Sequence, residues 1–301
     1  MTLASRLRVS DDVAAALRAG RPVVALESTV IAQGLPRPAN LEAARACEAA
    51  VRAGGATPAT IAIEGGRLIV GAGEALLRAL AETPKVRKVS TRDITPALAL
   101  GELGATTVAA SVEIAALAGI SVFATGGIGG VHRGADRTDD VSADLLAISR
   151  YPVAVICAGA KLILDIPRTL ERLESLGVPV VTVGSDDFPA FTVRSSGHRS
   201  PYRADDAAHI VAIGRLRLAQ GGGIVVALPV EEREALDPRD AERAIAAAEV
   251  EAARLGIGGG DLTPFLLREI AERDARAVRA NVALLVANAR FAADIAVAMA
   301  G

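Results

Sequence analysis

Short apolar runs alternate with longer stretches of mixed apolar and charged residues along almost the whole chain. PVVALESTVI (Pro22–Ile31) is apolar up to Glu27, TPATIAIE and RLIV flank Gly65–Gly66, and ISVFA, PVAVICAG, PVVTVGS and GGIVVALPV repeat the pattern. Runs of this length with no polar alternation predict strands buried on both faces. Between them, helical spacing predicts helices over Asp11–Arg18 with Ser10 as cap, Leu41–Ala53 with Asn40 as cap, Glu74–Glu82, Asp93–Leu100 and Val112–Ala118. Others are expected from near Ser142, over Ile166–Leu176 opened by Pro167, over Arg239–Leu255, from Thr263–Pro264, and over Val278–Met299. KVRKVS and ATTVAAS read as further short strands, the triple glycines at Gly221 and Gly258 as turns, and Phe188–Asp205 as an irregular polar lid. Strands alternating with helices give a three-layer α/β/α architecture, a mostly parallel central sheet covered on both faces. No linker or repeat interrupts the pattern, so one catalytic domain over 1–301 is expected.

Composition narrows the function classes. The net charge is −2 and only 2% of residues are aromatic, with no Trp, which argues against a nucleic-acid surface or base-stacking platform. Cys47 and Cys157 lie in apolar contexts and read as core residues. The opening MTLASRLRVSDD has no apolar leader core, and the apolar C-terminal stretch is interrupted by Arg279, Asn281, Asn288, Arg290 and Asp294. A cytoplasmic protein with no membrane partner is therefore expected.

The chemistry centres on a scarce residue type. The chain has three lysines, Lys85, Lys88 and Lys161, against 30 arginines. Where arginine takes nearly every basic position, a retained lysine is a candidate for work arginine cannot do, because only lysine loses its proton when desolvated. Lys161 sits in the apolar run of PVAVICAGAKLIL and is a candidate Schiff-base nucleophile; the competing reading is a side chain whose stem lies on the core while its head snorkels to water or pairs with Asp165 at i+4. Glu27 ends a strand and is either a poorly hydrated acid or a local cap. ATGGIGGVHRG, with Gly126, Gly127, Gly129, Gly130, His132 and Arg133, reads as an anion-binding loop whose backbone N–H groups could cradle phosphate, but not as a dinucleotide fingerprint. Asp136, Asp139, Asp140 and Asp144 suit one or two ligands to a hard cation that keeps its waters, and Ser142 among them marks a helix start. Lys88 is either a phosphate contact or a surface cation. His198 and His209 form no spaced metal motif. Glu27, Lys88, Thr125, His132 and Lys161 all fall at or just past strand ends, which puts them on the rim where open α/β sheets bind ligands.

Ten blocks carry a resemblance: VALESTVI, GLPRPAN, KVSTRD, GATTVAAS, FATGGIGGVHRGA, DVSADL, VICAGAKLILDIPRTLE, GVPVVTVGSDDFPAF, LTPFLL and NVALLVANA, in this order from about Val23 to about Ala296. Together they resemble the pseudouridine-5′-phosphate glycosidase family, also called pseudouridylate synthase or indigoidine-synthase-A-like. The resemblance implies reversible cleavage of pseudouridine 5′-phosphate to uracil and ribose 5-phosphate, one Mn²⁺ or Mg²⁺ per subunit, and a homotrimer. It implies Glu27 as proton donor, Lys161 as Schiff-base nucleophile and Asp140 as metal ligand. Lys88, Val108, Ser142, Ala143 and Asp144 match substrate-binding positions, Thr125 and His132 the phosphate region, and Asn288 a substrate contact. Leu162, Gln33 and Thr91 depart from the family pattern and bear on substrate preference.

A carbon–carbon glycosidic bond has no basic leaving oxygen, so paired carboxylates alone suit it poorly. An amine that captures the opened sugar supplies the missing electron sink. A Schiff-base aldolase or lyase on another sugar phosphate would share these residues. So would a non-catalytic phosphosugar or nucleotide-binding protein, although the complete Glu27, Asp140 and Lys161 set favours an enzyme.

Overall fold

A computed structural model describes residues 2–258 and 262–301. The second triple glycine runs from Gly258 into residues outside that description. Eleven strands join one sheet: β1 (Leu7–Val9), β2 (Val23–Leu26), β3 (Thr57–Glu64), β4 (Arg67–Val70), β5 (Arg87–Val89), β6 (Gly104–Thr106), β7 (Val122–Ala124), β8 (Ala154–Cys157), β9 (Val180–Val183), β10 (Tyr202–Ala204) and β11 (Ile224–Ala227). Their order is β1-β4-β3-β2-β7-β8-β11-β9-β10, with β6 pairing β3 and β5 pairing β6. Among the described residues, only the β3–β4 and β3–β6 pairs are antiparallel.

The apolar runs are buried on both faces because successive side chains enter different cores. Val23 and Ala25 of β2, Val155 and Cys157 of β8, and Val225 and Ala227 of β11 belong to one core; Val24, Leu26, Ala154, Ile156, Ile224 and Val226 belong to the other. Helices Asp11–Arg18, Val108–Leu117 and Ala143–Arg150 contribute to the first core, and helices Ala39–Ala53, Ala207–Ala219 and Ala275–Ala300 to the second. This is the expected α/β/α layering. The last helix is long and apolar enough to cross a membrane by composition, but here it packs across β2, β7 and β8.

Local expectations fail where a long-range partner decides. ATTVAAS is strand only through Thr106; Val108–Leu117 is helix with Thr107 at its cap position. That helix is buried on most sides, so it carries no amphipathic period to read. Asn40 is not a cap: the helix starts at Ala39, and Asn40 is buried with its amide donating to the carbonyls of Ile31 (2.7 Å) and Ala81 (3.3 Å). Ser10 holds the cap position of its helix, yet its hydroxyl donates to Asp12 rather than accepting a backbone N–H. Phe188–Asp205 is no free lid either. Phe188, Ala190, Phe191, Thr192 and Val193 are buried, and the segment ends in edge strand β10, parallel to β9.

Candidate active site

A cavity of about 950 Å³ opens beyond the carboxyl ends of the central strands. Glu27, Lys88, Val108, His132, Asp140, Ser142, Ala143, Asp144 and Lys161 all line it. Residues from five separate stretches of sequence thus converge because parallel strands end on a common rim.

Glu27 follows β2 directly and is buried. Its two carboxyl oxygens accept from different hydroxyls, Oε1 from Thr125 and Oε2 from Thr29. Both donors are local consequences of the fold: Thr29 is two residues on, and Thr125 is the first residue past β7, the parallel neighbour of β2.

Lys161 is placed by an interlock between the loops after β7 and β8. Ala158 N–H donates to Gly126 O (2.8 Å), Ile128 N–H to Gly159 O (3.0 Å), and Lys161 N–H to Ile128 O (3.0 Å). Gly159 has φ +81°, and a Cβ there would lie 1.9 Å from Pro189 O. Gly159→Ala should therefore cost about 2–5 kcal/mol from left-handed strain and overpacking, read as a lower denaturation midpoint. Lys161 is half-buried. Asp165, the alternative partner, caps the next helix through Arg168 N–H (3.1 Å) and pairs with the Arg168 side chain (3.5 Å). The ion pair between Lys161 and Asp165 is therefore not formed.

Gly126, Gly127 and Gly129 of the glycine loop line the cavity, but four N–H groups of the loop already have partners within the fold. Ile128 N–H is used as above, Gly129 N–H donates to Asp144 Oδ2 (2.8 Å), Val131 N–H to Thr169 Oγ1 (3.0 Å) and His132 N–H to Asp140 O (3.0 Å). Glycine is required for close approach instead: a Cβ on Gly129 would meet Ser142 Oγ at 2.3 Å, and one on Gly130 would meet Thr169 Oγ1 at 2.3 Å. Arg133 does not add charge to the cavity as expected, because it forms a bidentate pair with Glu242 (2.7 and 2.9 Å).

Asp144 is buried and also accepts from Ala109 N–H (2.9 Å), so one carboxylate ties the glycine loop to the start of the Val108–Leu117 helix. Asp144→Ala would strand two buried N–H donors and should cost about 2–5 kcal/mol, measurable by urea unfolding. Ser142 caps the Ala143–Arg150 helix, accepting from Asp144 N–H (3.2 Å).

His132 is buried, with Nε2 3.4 Å from Thr263 Oγ1. Burial holds its pKa below the ordinary 6.5, opposed by nearby Asp140 and reinforced by Lys161 and Lys88. The unfolded chain therefore binds the proton more readily. Stability should be full above about 6.5 and decline as pH falls below it toward the depressed folded value. His132→Asn should flatten that decline in a series of urea midpoints against pH.

Two expected contacts lie off this cavity. Thr125 spends its hydroxyl on Glu27 instead of facing a phosphate. Asn288 is buried in the last helix and donates to the carbonyls of Thr125 (2.8 Å) and Gly126 (3.3 Å), holding the loop from behind. Asn281, two turns earlier on that helix, lines the cavity. So do Gln33, Arg92 and Phe191, none of which sequence reasoning placed in the site. Gln33 stood out only as a departure from the family pattern, and it anchors on Val86 O (3.0 Å).

Among the described residues, no three His, Cys, Asp or Glu side chains gather to hold a cation. Asp140 faces the cavity, whereas Asp144 is committed to backbone donors and Asp136 leans on Arg168 (3.9 Å). One available carboxylate fits Mg²⁺ or Mn²⁺ that keeps most of its water, and would not fit a cation needing a full protein cage.

Fold and cavity together define an α/β enzyme that binds its ligand beyond the carboxyl ends of a mostly parallel sheet. The sequence profile of the "Indigoidine synthase A like protein" family matches residues 12–298, and the chain belongs to that family. It is 51% identical over 298 residues to a pseudouridine-5′-phosphate glycosidase of Myxococcus xanthus, covering 98% of each chain. It is 49% identical to one of Dickeya dadantii, covering 97% of this chain and 93% of that one. Among solved structures it is similar to the prealnumycin C-glycosynthase AlnA in complex with ribulose 5-phosphate, with 41% identity and TM-score 0.89, covering 98% and 97% of the two chains. An indigoidine synthase A-like protein of Thermotoga maritima has 33% identity and TM-score 0.88 over the same shares.

Proposed function

We propose that this protein is a pseudouridine-5′-phosphate glycosidase. The supporting observation is the joint placement of Glu27 and Lys161 on one cavity, with Lys161 released from Asp165 and Glu27 gripped by two hydroxyls. Full-length relatives at about half identity carry that name.

In the cleavage direction, the ring opens as O4′ leaves C1′ and takes up a proton to become a hydroxyl, and the neutral Lys161 amine bonds to C1′ in its place, losing a proton to leave an open-chain secondary amine. Glu27 delivers a proton to uracil C5, which keeps the electron pair of the C1′–C5 bond as that bond breaks, while the Lys161 nitrogen lone pair forms the iminium to C1′. Water then releases ribose 5-phosphate and restores the amine. Lys88 and His132 hold and orient the phosphosugar, Lys88 as a point charge and His132 as a neutral hydrogen-bonding group. Val108, Ser142 and Ala143 line the space for the base, while Asp144 fixes their two loops. Asp140 would hold a divalent cation through water, which supplies stabilisation of developing negative charge. The association state read from the resemblance is a trimer.

AlnA is a C-glycosynthase solved with a pentulose 5-phosphate, which favours one second reading: the same amine and phosphate contacts joining a sugar phosphate to a different carbon acceptor. Incubation with pseudouridine 5′-phosphate and Mn²⁺ should release free uracil and ribose 5-phosphate. No uracil from folded protein loaded with Mn²⁺ or Mg²⁺ would reject the first reading and leave the second.

A further inference from the structure

A second cavity of about 20 Å³ also borders Glu27 and is lined by Thr125, Thr60 and Cys47 among apolar side chains, three residues that do not line the main cavity. That volume holds about one water molecule, and the lining offers it the two or more polar partners an ordered water needs. Thr60 sits on β3 opposite Leu26 in the parallel register, one residue from Glu27, and is buried. Its hydroxyl donates to Glu48 Oε1 at 2.7 Å. Glu48, on the Ala39–Ala53 helix, also accepts from Arg52 at 3.0 Å, and the Arg52 side chain is 57% exposed while that of Glu48 is 12% exposed. A buried threonine and a nearly buried carboxylate thus lead from the small cavity beside Glu27 to the surface. Neither touches the main cavity.

We propose that Glu48 and Thr60 form a proton relay for Glu27, completed by one water in the small cavity. The inference rests on the glycosidase reading above. In the bond-forming direction, Glu27 takes the proton from uracil C5 and passes it to the water. The water gives a proton to Thr60 Oγ as Thr60 gives its own to the Glu48 carboxylate, and Glu48 releases one to solvent beside Arg52. Cleavage runs the same transfers backwards, so no proton is created or lost. The relay solves a geometric problem: once a nucleotide fills the main cavity, the front of Glu27 faces the base and not bulk water. The Cys47 thiol is not the carrier, because burial pushes its pKa to about 12 and keeps it protonated. Thr60 and Glu48 act through Glu27 and are positioning and relay residues, not catalytic ones.

The test uses the enzyme at equilibrium with uracil and ribose 5-phosphate in deuterium oxide. Deuterium entering uracil C5 is measured by mass spectrometry, and bond exchange by the passage of carbon-labelled uracil into pseudouridine 5′-phosphate. The ratio of deuterium entry to bond exchange should fall severalfold in Thr60→Val, recover in Thr60→Ser, and fall in Glu48→Gln, which keeps the shape of the carboxylate. An unchanged ratio in Thr60→Val and Glu48→Gln, with bond exchange still proceeding, would overturn the relay and leave the glycosidase reading intact. Absence of any bond exchange in the unmodified enzyme would instead overturn that reading, and the relay with it.

Discussion

Lys161→Arg is expected to lower uracil release by at least about 10⁴-fold while leaving ribose 5-phosphate affinity within a few-fold of the unmodified protein. Arginine keeps the positive charge and much of the stem, so a lysine serving only as a phosphate contact would survive the change with modest loss. A lysine that forms a covalent bond would not, because a guanidinium stays protonated and cannot attack a carbonyl carbon. The structure makes the comparison clean. Lys161 is held by its own backbone N–H to Ile128 O and by the Gly159 turn, neither of which involves the side chain. Steady-state release of uracil, together with equilibrium binding of ribose 5-phosphate, reads both halves. A loss shared equally between binding and turnover would favour a purely electrostatic lysine.

Glu27→Gln comes next in expected effect, with turnover falling by about 10²–10⁴-fold, the range for a positioned general acid. The amide fills the same space between Thr29 and Thr125 but has no proton to give to uracil C5. It also places an N–H₂ where one threonine hydroxyl now donates, so Thr125 or Thr29 must rotate. Substrate binding should change far less than turnover. Glu27 is buried at the end of β2 and meets the reacting carbon rather than the phosphate in the proposed pose. The rate should fall in both reaction directions by the same factor, because one group gives and takes the same proton. Pre-steady-state formation of uracil and the reverse condensation measure the two directions separately.

The site's outline was legible in the sequence because its residues sit at strand ends. Apolar runs stop where the backbone leaves the sheet, and Glu27 and Lys161 follow two such stops. In a parallel sheet these stops share one rim, so residues 134 positions apart in the chain could be grouped without any contact information. What sequence could not supply was the partner of each polar group. The glycine run looked like an anion nest, but the N–H groups of Ile128, Gly129, Val131 and His132 are taken by Gly159, Asp144, Thr169 and Asp140, residues from three other segments. Asp144 looked like a metal candidate and is a backbone tie for the same reason. Arg133 looked like a phosphate contact until Glu242, 109 residues later, took both its forks. Thr107 and Val108 read as strand by β-branched composition, whereas burial on most sides leaves a helix there no amphipathic signature to detect. Asn281 and Asn288 marked breaks in an apolar helix without saying which would face the cavity.

The central claim is that the Lys161 amine becomes covalently joined to the opened sugar. The direct measurement is reduction with borohydride in the presence of ribose 5-phosphate, followed by peptide mass spectrometry. The account predicts one reduced pentose phosphate per chain, located on Lys161 and absent from Lys85 and Lys88. An unlabelled Lys161 peptide from protein that still releases uracil would contradict it.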